Sequence, residues 1–204
     1  MSELQLFKIE NFIGGNQDWF TDYWMKIGGC GAVTACDLCI YFAMVFREKK
    51  LYPYAVEKIT KEDYINFSNI MKPYLAPRVH GINKLEIFIE GFNAYLYDKK
   101  KKDIHLDGIY SNCPLQNFKD AVRNQLDKKM PVPYLNLKHR DPRLRDYVWH
   151  WFWLAGYEEF NNAFMVKVIT YGSIHWLSLD QLWDSGYEQK GGIILINMDK
   201  SKSA

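Results

Sequence analysis

The hydrophobic and polar positions of this chain fall into two regions with different periods. The first is dominated by Gly28-Gly29-Cys30-Gly31-Ala32-Val33-Thr34-Ala35-Cys36-Asp37-Leu38-Cys39-Ile40-Tyr41-Phe42-Ala43, which is apolar at nearly every position after its glycines. A helix apolar on all faces belongs at the centre of a domain, and Arg47-Glu48-Lys49-Lys50 followed by Tyr52-Pro53 marks its exit. Helical spacing then recurs. Thr60 with acids in the first turn opens a helix carrying Tyr64, Phe67, Ile70 and Met71 on one face and ended by Pro73. Leu85, Phe88, Ile89 and Phe92 repeat the period, with Gly91 near the end, and alternation at Ala94-Tyr95-Leu96-Tyr97 reads as a short strand. Leu115, Phe118, Val122 and Leu126 line a further amphipathic helix that closes at Lys128-Lys129.

The second region has β character. Pro131 to Leu137 reads as a strand entered through prolines, which suits its first residues or an edge. Trp149 to Tyr157, Phe164 to Thr170, a short piece around His175-Trp176-Leu177, and Gly192 to Asn197 are rich in β-branched and aromatic residues. Glu158 to Asn162 connects the first two as a hairpin, and Leu179 to Trp183 reads as a short helix. Helices followed by an antiparallel sheet predict an α+β fold. The expected organisation is one domain over 1–204, with a helical lobe at about 1–128 and a sheet lobe at about 131–199.

Composition narrows the function classes. A net charge of +2 is too small to demand nucleic acid or an acidic membrane as partner. No apolar run approaches the roughly 18 residues that span a bilayer, and the N-terminus lacks the pattern of a secretory signal. Cys30, Cys36 and Cys39 lie on one expected helix, a poor layout for disulfides, so reduced thiols in a cytoplasm are expected. Cys36-x-x-Cys39 without a second ligand pair is weak ground for zinc, and neither metal nor cofactor is expected. The chain is heavy in aromatics; Trp19, Trp24, Trp149 and Trp151 are either core or the lining of an apolar groove.

The candidate chemistry starts at Cys30. Unpaired N–H groups and the dipole at a helix N-terminus favour a thiolate, the nucleophilic form. Such a nucleophile needs an imidazole. His80 and His105 read as surface residues and His139 lies in an arginine-rich loop, whereas His150 opens an apolar strand, where burial costs energy unless the ring has a partner.

Together, Gly29-Cys30-Gly31-Ala32 opening a buried helix, Pro131-Val132-Pro133-Tyr134-Leu135, and His150-Trp151-Phe152-Trp153-Leu154-Ala155-Gly156-Tyr157 resemble papain-like cysteine peptidases. The closer resemblance is to the bacterial C39-like branch. It covers roughly residues 17–41 and 129–197; residues 46–112 have no counterpart in it. The resemblance implies a papain-like fold in which the central helix starts at the cysteine and packs on the antiparallel sheet. It implies Cys30 as nucleophile, His150 as base, and Gln17, or its neighbour Asn16, as the side-chain amide of an oxyanion hole. Thirteen residues separate Gln17 from Cys30, more than papain-like enzymes use, and Phe20 to Ile27 would loop out as an insertion. Where the family orients its histidine with Asp or Asn, this chain has Thr170; Asn161 and Asn162 sit in the hairpin as turn formers. The implied activity is hydrolysis of a peptide or acyl amide through a thioester, with acyl transfer or a catalytically impaired binding module as alternatives.

Overall fold

The computed structural model describes residues 1–161 and 163–199. The chain enters through short strands β1 (Ser2–Glu3), β2 (Lys8–Ile9) and β3 (Phe12–Ile13) and then a 3-10 turn at Gln17–Trp19. The Asn16 side chain caps that turn by accepting from the Asp18 N–H at 2.9 Å. The following stretch is a helix rather than a looped-out insertion: α1 (Tyr23–Gly28) is capped by Asp22, whose carboxylate accepts from Met25 N–H. Gly29 alone links α1 to α2 (Cys30–Val45).

Helix α2 is the apolar run of the sequence, and every residue from Cys30 to Ala43 is buried. It packs against β6 and α3. α3 (Lys61–Met71) starts at Thr60 with a complete capping box, Thr60 and Asp63 each bonding the other's backbone N–H. α4 (Leu85–Asp98) runs straight through Ala94-Tyr95-Leu96-Tyr97, which were expected as a strand. Tyr95 and Leu96 continue the buried face of Leu85, Phe88 and Phe92, so the helical period outruns the local alternation. α5 (Leu115–Asp127) buries Phe118, Val122 and Leu126 as its spacing predicts.

The sheet draws on more of the chain than its C-terminal third. It contains β4 (Ile104–Tyr110), β5 (Val132–Asn136), β6 (His150–Phe160), β7 (Ala163–Thr170), β8 (Ser173–Ser178) and β9 (Gly192–Met198), in the order β4-β9-β5-β6-β7-β8. β1 adds to β6 at Tyr157 and Gly156, and all pairs are antiparallel. β4 and β1 therefore carry the expected helical lobe's residues into the sheet, and the two lobes are not separate stretches of sequence. Strand β5 is internal rather than an edge. Its proline is tolerated because β9 pairs only with Tyr134 and Leu135, leaving Pro133 outside that ladder. The piece around His175 is a full strand on β7, followed by α6 (Leu179–Trp183). The β6–β7 connection is tighter than expected, since β6 continues to Phe160 and turns at Asn161; Asn162 lies outside the described residues. Among the described residues no helix is long and apolar enough to cross a membrane.

One acid interrupts the apolar centre. Asp37 on α2 accepts hydrogen bonds from Gly15 N–H at 3.0 and 3.1 Å, the Tyr64 hydroxyl at 2.8 Å and Trp153 Nε1 at 2.9 Å. These donors come from the N-terminal loop, α3 and β6. Gly15 is required by close approach, because a Cβ there would fall 1.9 Å from the Tyr64 hydroxyl oxygen. Burial raises the Asp37 carboxyl from its usual value to about 6, although the Trp153, Gly15 and Tyr64 hydrogen bonds act the other way.

This yields a signed expectation for pH. The folded carboxyl holds its proton at higher pH than the unfolded one. Asp37 therefore contributes stability that is complete below pH about 4 and is lost as pH rises through about 6. In urea unfolding, the wild type should gain about 2 kcal/mol over Asp37→Asn on going from pH 7 to about 4.5, with groups common to both cancelling. A constant difference across that range would contradict the assignment.

Candidate active site

Cys30 is the first residue of α2, with its backbone N–H among those that the helix leaves unpaired. The single-residue link before it demands glycine, since a Cβ at Gly29 would sit 2.2 Å from the Met25 carbonyl oxygen. The thiol is nearly closed off, at 9% exposure. Burial raises its pKa, and the backbone N–H groups of Trp151, Gly31 and Cys30 itself oppose that rise without prevailing. The helix terminus therefore does not make a resting thiolate, because desolvation is the larger effect here.

His150 opens β6 and is also buried, at 6% exposure. Its Nε2 lies 2.7 Å from Thr170 Oγ1 at the end of β7. With that hydroxyl accepting from Nε2–H, Nδ1 is left as the basic nitrogen. The ring stacks on Tyr171, with centroids 4.6 Å apart and planes 10° from parallel. The Tyr171 hydroxyl donates to the Asp146 carbonyl at 2.6 Å, which holds the stacking plate in place. Burial alone lowers the His150 pKa to about 4, so the imidazole is neutral near pH 7. Two strained residues adjoin the pair: Trp149 and Tyr171 have positive φ values of 54° and 53°, a costly conformation for aromatic side chains.

Cys30, Gln17, His150 and Tyr171 line one cleft of about 530 Å³. A small hollow beside it is bounded by Asn16, Gln17, Cys30, His150 and Thr170. The fold thus gathers all four residues named from the sequence. Gln17 is nonetheless engaged elsewhere: its Nε2 donates to the carbonyls of Lys26 and Ile27 at 3.1 and 3.2 Å, while its Oε1 is buried without a partner. Both amide hydrogens thus point at the end of α1. Asn16 is committed as well, its Nδ2 donating to the Tyr171 carbonyl at 3.4 Å. Asn161, one of the two hairpin amides, follows the end of β6 in a left-handed turn.

The four tryptophans divide between the two readings. Trp24 and Trp149 line the cleft and are exposed. Trp151 is core, stacked on Phe88 at 4.6 Å with Nε1 donating to the Ile82 carbonyl. Trp19 packs edge-on against Phe12 and Tyr64. His80, expected on the surface, is exposed but also lines the cleft, on the loop from Pro77 to Asn83 that forms one wall. Sequence reasoning did not reach that wall, which carries no motif, nor Tyr171 as the stacking partner of His150. Asp37 had a visible signal, a lone acid in an apolar helix. Among the described residues no three His, Cys, Asp or Glu side chains gather as a metal site.

No family model and no curated protein matches this chain in sequence.

The His150–Thr170 contact can be tested directly. Thr170→Val keeps the shape and removes the acceptor, leaving a buried N–H unpaired. It should cost about 1–3 kcal/mol in urea unfolding at pH 7, and Thr170→Ser should recover most of that loss.

Proposed function

We propose that this chain is a papain-like Cys-His hydrolase, similar to the C39-like branch, that cleaves a peptide or acyl amide bond through a thioester. The observation that carries the reading is the convergence of Cys30 at a helix N-terminus and a Thr170-bonded His150 on one open cleft. The two groups rest neutral, so the proton moves during attack rather than before it. Cys30 Sγ attacks the carbonyl carbon while its proton passes to His150 Nδ1. The tetrahedral oxyanion collapses, the C–N bond breaks, and His150 gives that proton to the departing amine. Water then adds to the thioester with His150 as base, releasing the acid and restoring the thiol.

Thr170 holds the ring orientation and tautomer, but it supplies no negative charge to the imidazolium formed in transit. The oxyanion would be met by the Cys30 N–H and by Gln17 Nε2 once the latter releases a carbonyl of α1. A donor of this kind contributes about 3 kcal/mol. No cofactor enters the scheme, and four free cysteines fit a reducing, cytoplasmic setting.

A peptidase-like binding module that kept the architecture without the chemistry is the second reading. The raised Cys30 thiol, the lowered His150 and the uncharged Thr170 favour it. Capture of the thioester by an amine, as in acyl transfer, uses the same groups and differs only in the acceptor.

Incubation with an activated peptidyl ester should add one acyl group to Cys30 by mass spectrometry, and Cys30→Ala should add none. No adduct, together with iodoacetamide modifying Cys30 no faster than Cys113, would leave the binding module. For the hydrolase, the acid limb of kcat/KM should fall near pH 4, where His150 takes up its proton, instead of near 6.5.

A further inference from the structure

The cleft beside Cys30 has an uneven lining. Four of the large apolar side chains that the structure leaves exposed, Trp24, Ile27, Val79 and Trp149, stand around it, and Val79 is 95% exposed. Tyr23 braces this rim edge-on against Trp24, with centroids 5.3 Å apart. Apolar surface concentrated at the mouth of a pocket marks a place that something covers. The charge on the lining is equally one-sided. Arg78 and His80 line the cleft, no Asp or Glu does, and Arg78 forms no ion pair among the described residues. The neighbouring depression, which Arg78, Val79 and His80 also line, carries Glu86 and Glu90 together with Lys84, and Glu86 already accepts from the Tyr110 hydroxyl at 2.6 Å.

We infer that this cleft selects an acidic peptide bearing a bulky apolar side chain: the side chain is covered by the Trp24–Ile27–Val79–Trp149 rim and a carboxylate meets Arg78. Arginine matches a carboxylate in two-point geometry and keeps its charge at any working pH. Asn83 and His150 lie along the same lining, where the backbone amides of a peptide would find partners. That last feature favours a peptide over an anionic lipid, which offers an apolar body and a charge but no row of amides. Both Arg78 and Val79 belong to the loop wall, in the part of the chain that has no counterpart in the C39-like resemblance. This selectivity rests on the proposed reading of the cleft as the substrate site.

The test separates binding from chemistry. Cys30→Ala protein is titrated by calorimetry with four capped peptides of equal length: Glu-Phe, Lys-Phe, Glu-Gly and Lys-Gly variants of one sequence. The Glu-Phe peptide should bind at least tenfold tighter than the Lys-Phe and Glu-Gly peptides. The charge preference should shrink in 0.5 M salt as an exposed ion pair is screened. Arg78→Glu, at an exposed loop position, should reverse the Glu-over-Lys order while leaving the Phe-over-Gly preference, and Val79→Ser should reduce only the latter. Equal binding of all four peptides, or binding of none, overturns the inference. So does competition of the Glu-Phe peptide by vesicles of anionic phospholipid, which would assign the cleft to lipid. Selective binding with no turnover by wild-type protein would sink the hydrolase alone; turnover without charge preference would sink this inference alone.

Discussion

The structure depends on one buried carboxylate. Asp37 sits two helical turns below Cys30 on α2 and accepts hydrogen bonds from the N-terminal loop, from α3 and from β6. Among the described residues no other buried carboxylate takes hydrogen bonds from three elements in this way. A buried acid is costly unless its oxygens are satisfied, and here the donors that satisfy it are also the parts that must be aligned. Gly15 is held two residues before Gln17, and the same loop is bound to the turn after β7 by Gly172 N–H donating to the Gly15 carbonyl at 2.9 Å. Helix, loop and strand therefore meet around Cys30 in one arrangement. Apolar packing alone would specify the core without specifying that register.

Around this anchor the site combines exact placement with weak electrostatics. Cys30 and His150 are both held away from water, which favours the uncharged form of each. Thr170 preserves direction, and Tyr171 preserves the ring plane. A carboxylate at the Thr170 position would favour an imidazolium; a hydroxyl does not. The arrangement suits chemistry in which charge exists only during the reaction, or recognition in which it never forms. Gln17 follows the same logic: its amide lies beside the cleft but is tied to α1, so its availability depends on the seating of that helix.

Much of the secondary structure was legible because it follows from period and capping. Thr60 with its acids, the apolar stripe of α5 and the aromatic strands β6 and β7 are local signals, and each formed the predicted element. The misreadings share a cause. Ala94 to Tyr97 alternate over too few residues to outweigh the helix they extend, and of the two places the prolines suited, the first residues of a strand or an edge, only the pairing of β5 between β9 and β6 selects the first. The stretch from Phe20 to Ile27 was expected to loop out as an insertion, yet Tyr23–Gly28 forms a helix once capped by Asp22 and stopped at Gly29.

Taken alone, the sequence determined that Cys30 opens a buried helix, that His150 begins an apolar strand and that Thr170 ends the next one. These are statements about single elements, set by short-range sterics and by the separation of apolar from polar residues. Tertiary structure decided what those residues do to each other. The convergence of Cys30 and His150 on one cleft, the stacking of Tyr171 and the loop wall carrying Arg78 depend on contacts between distant segments. So does the direction of the thiol's pKa. A helix terminus favours a thiolate, but burial is a property of everything packed around it, and here burial is the stronger of the two.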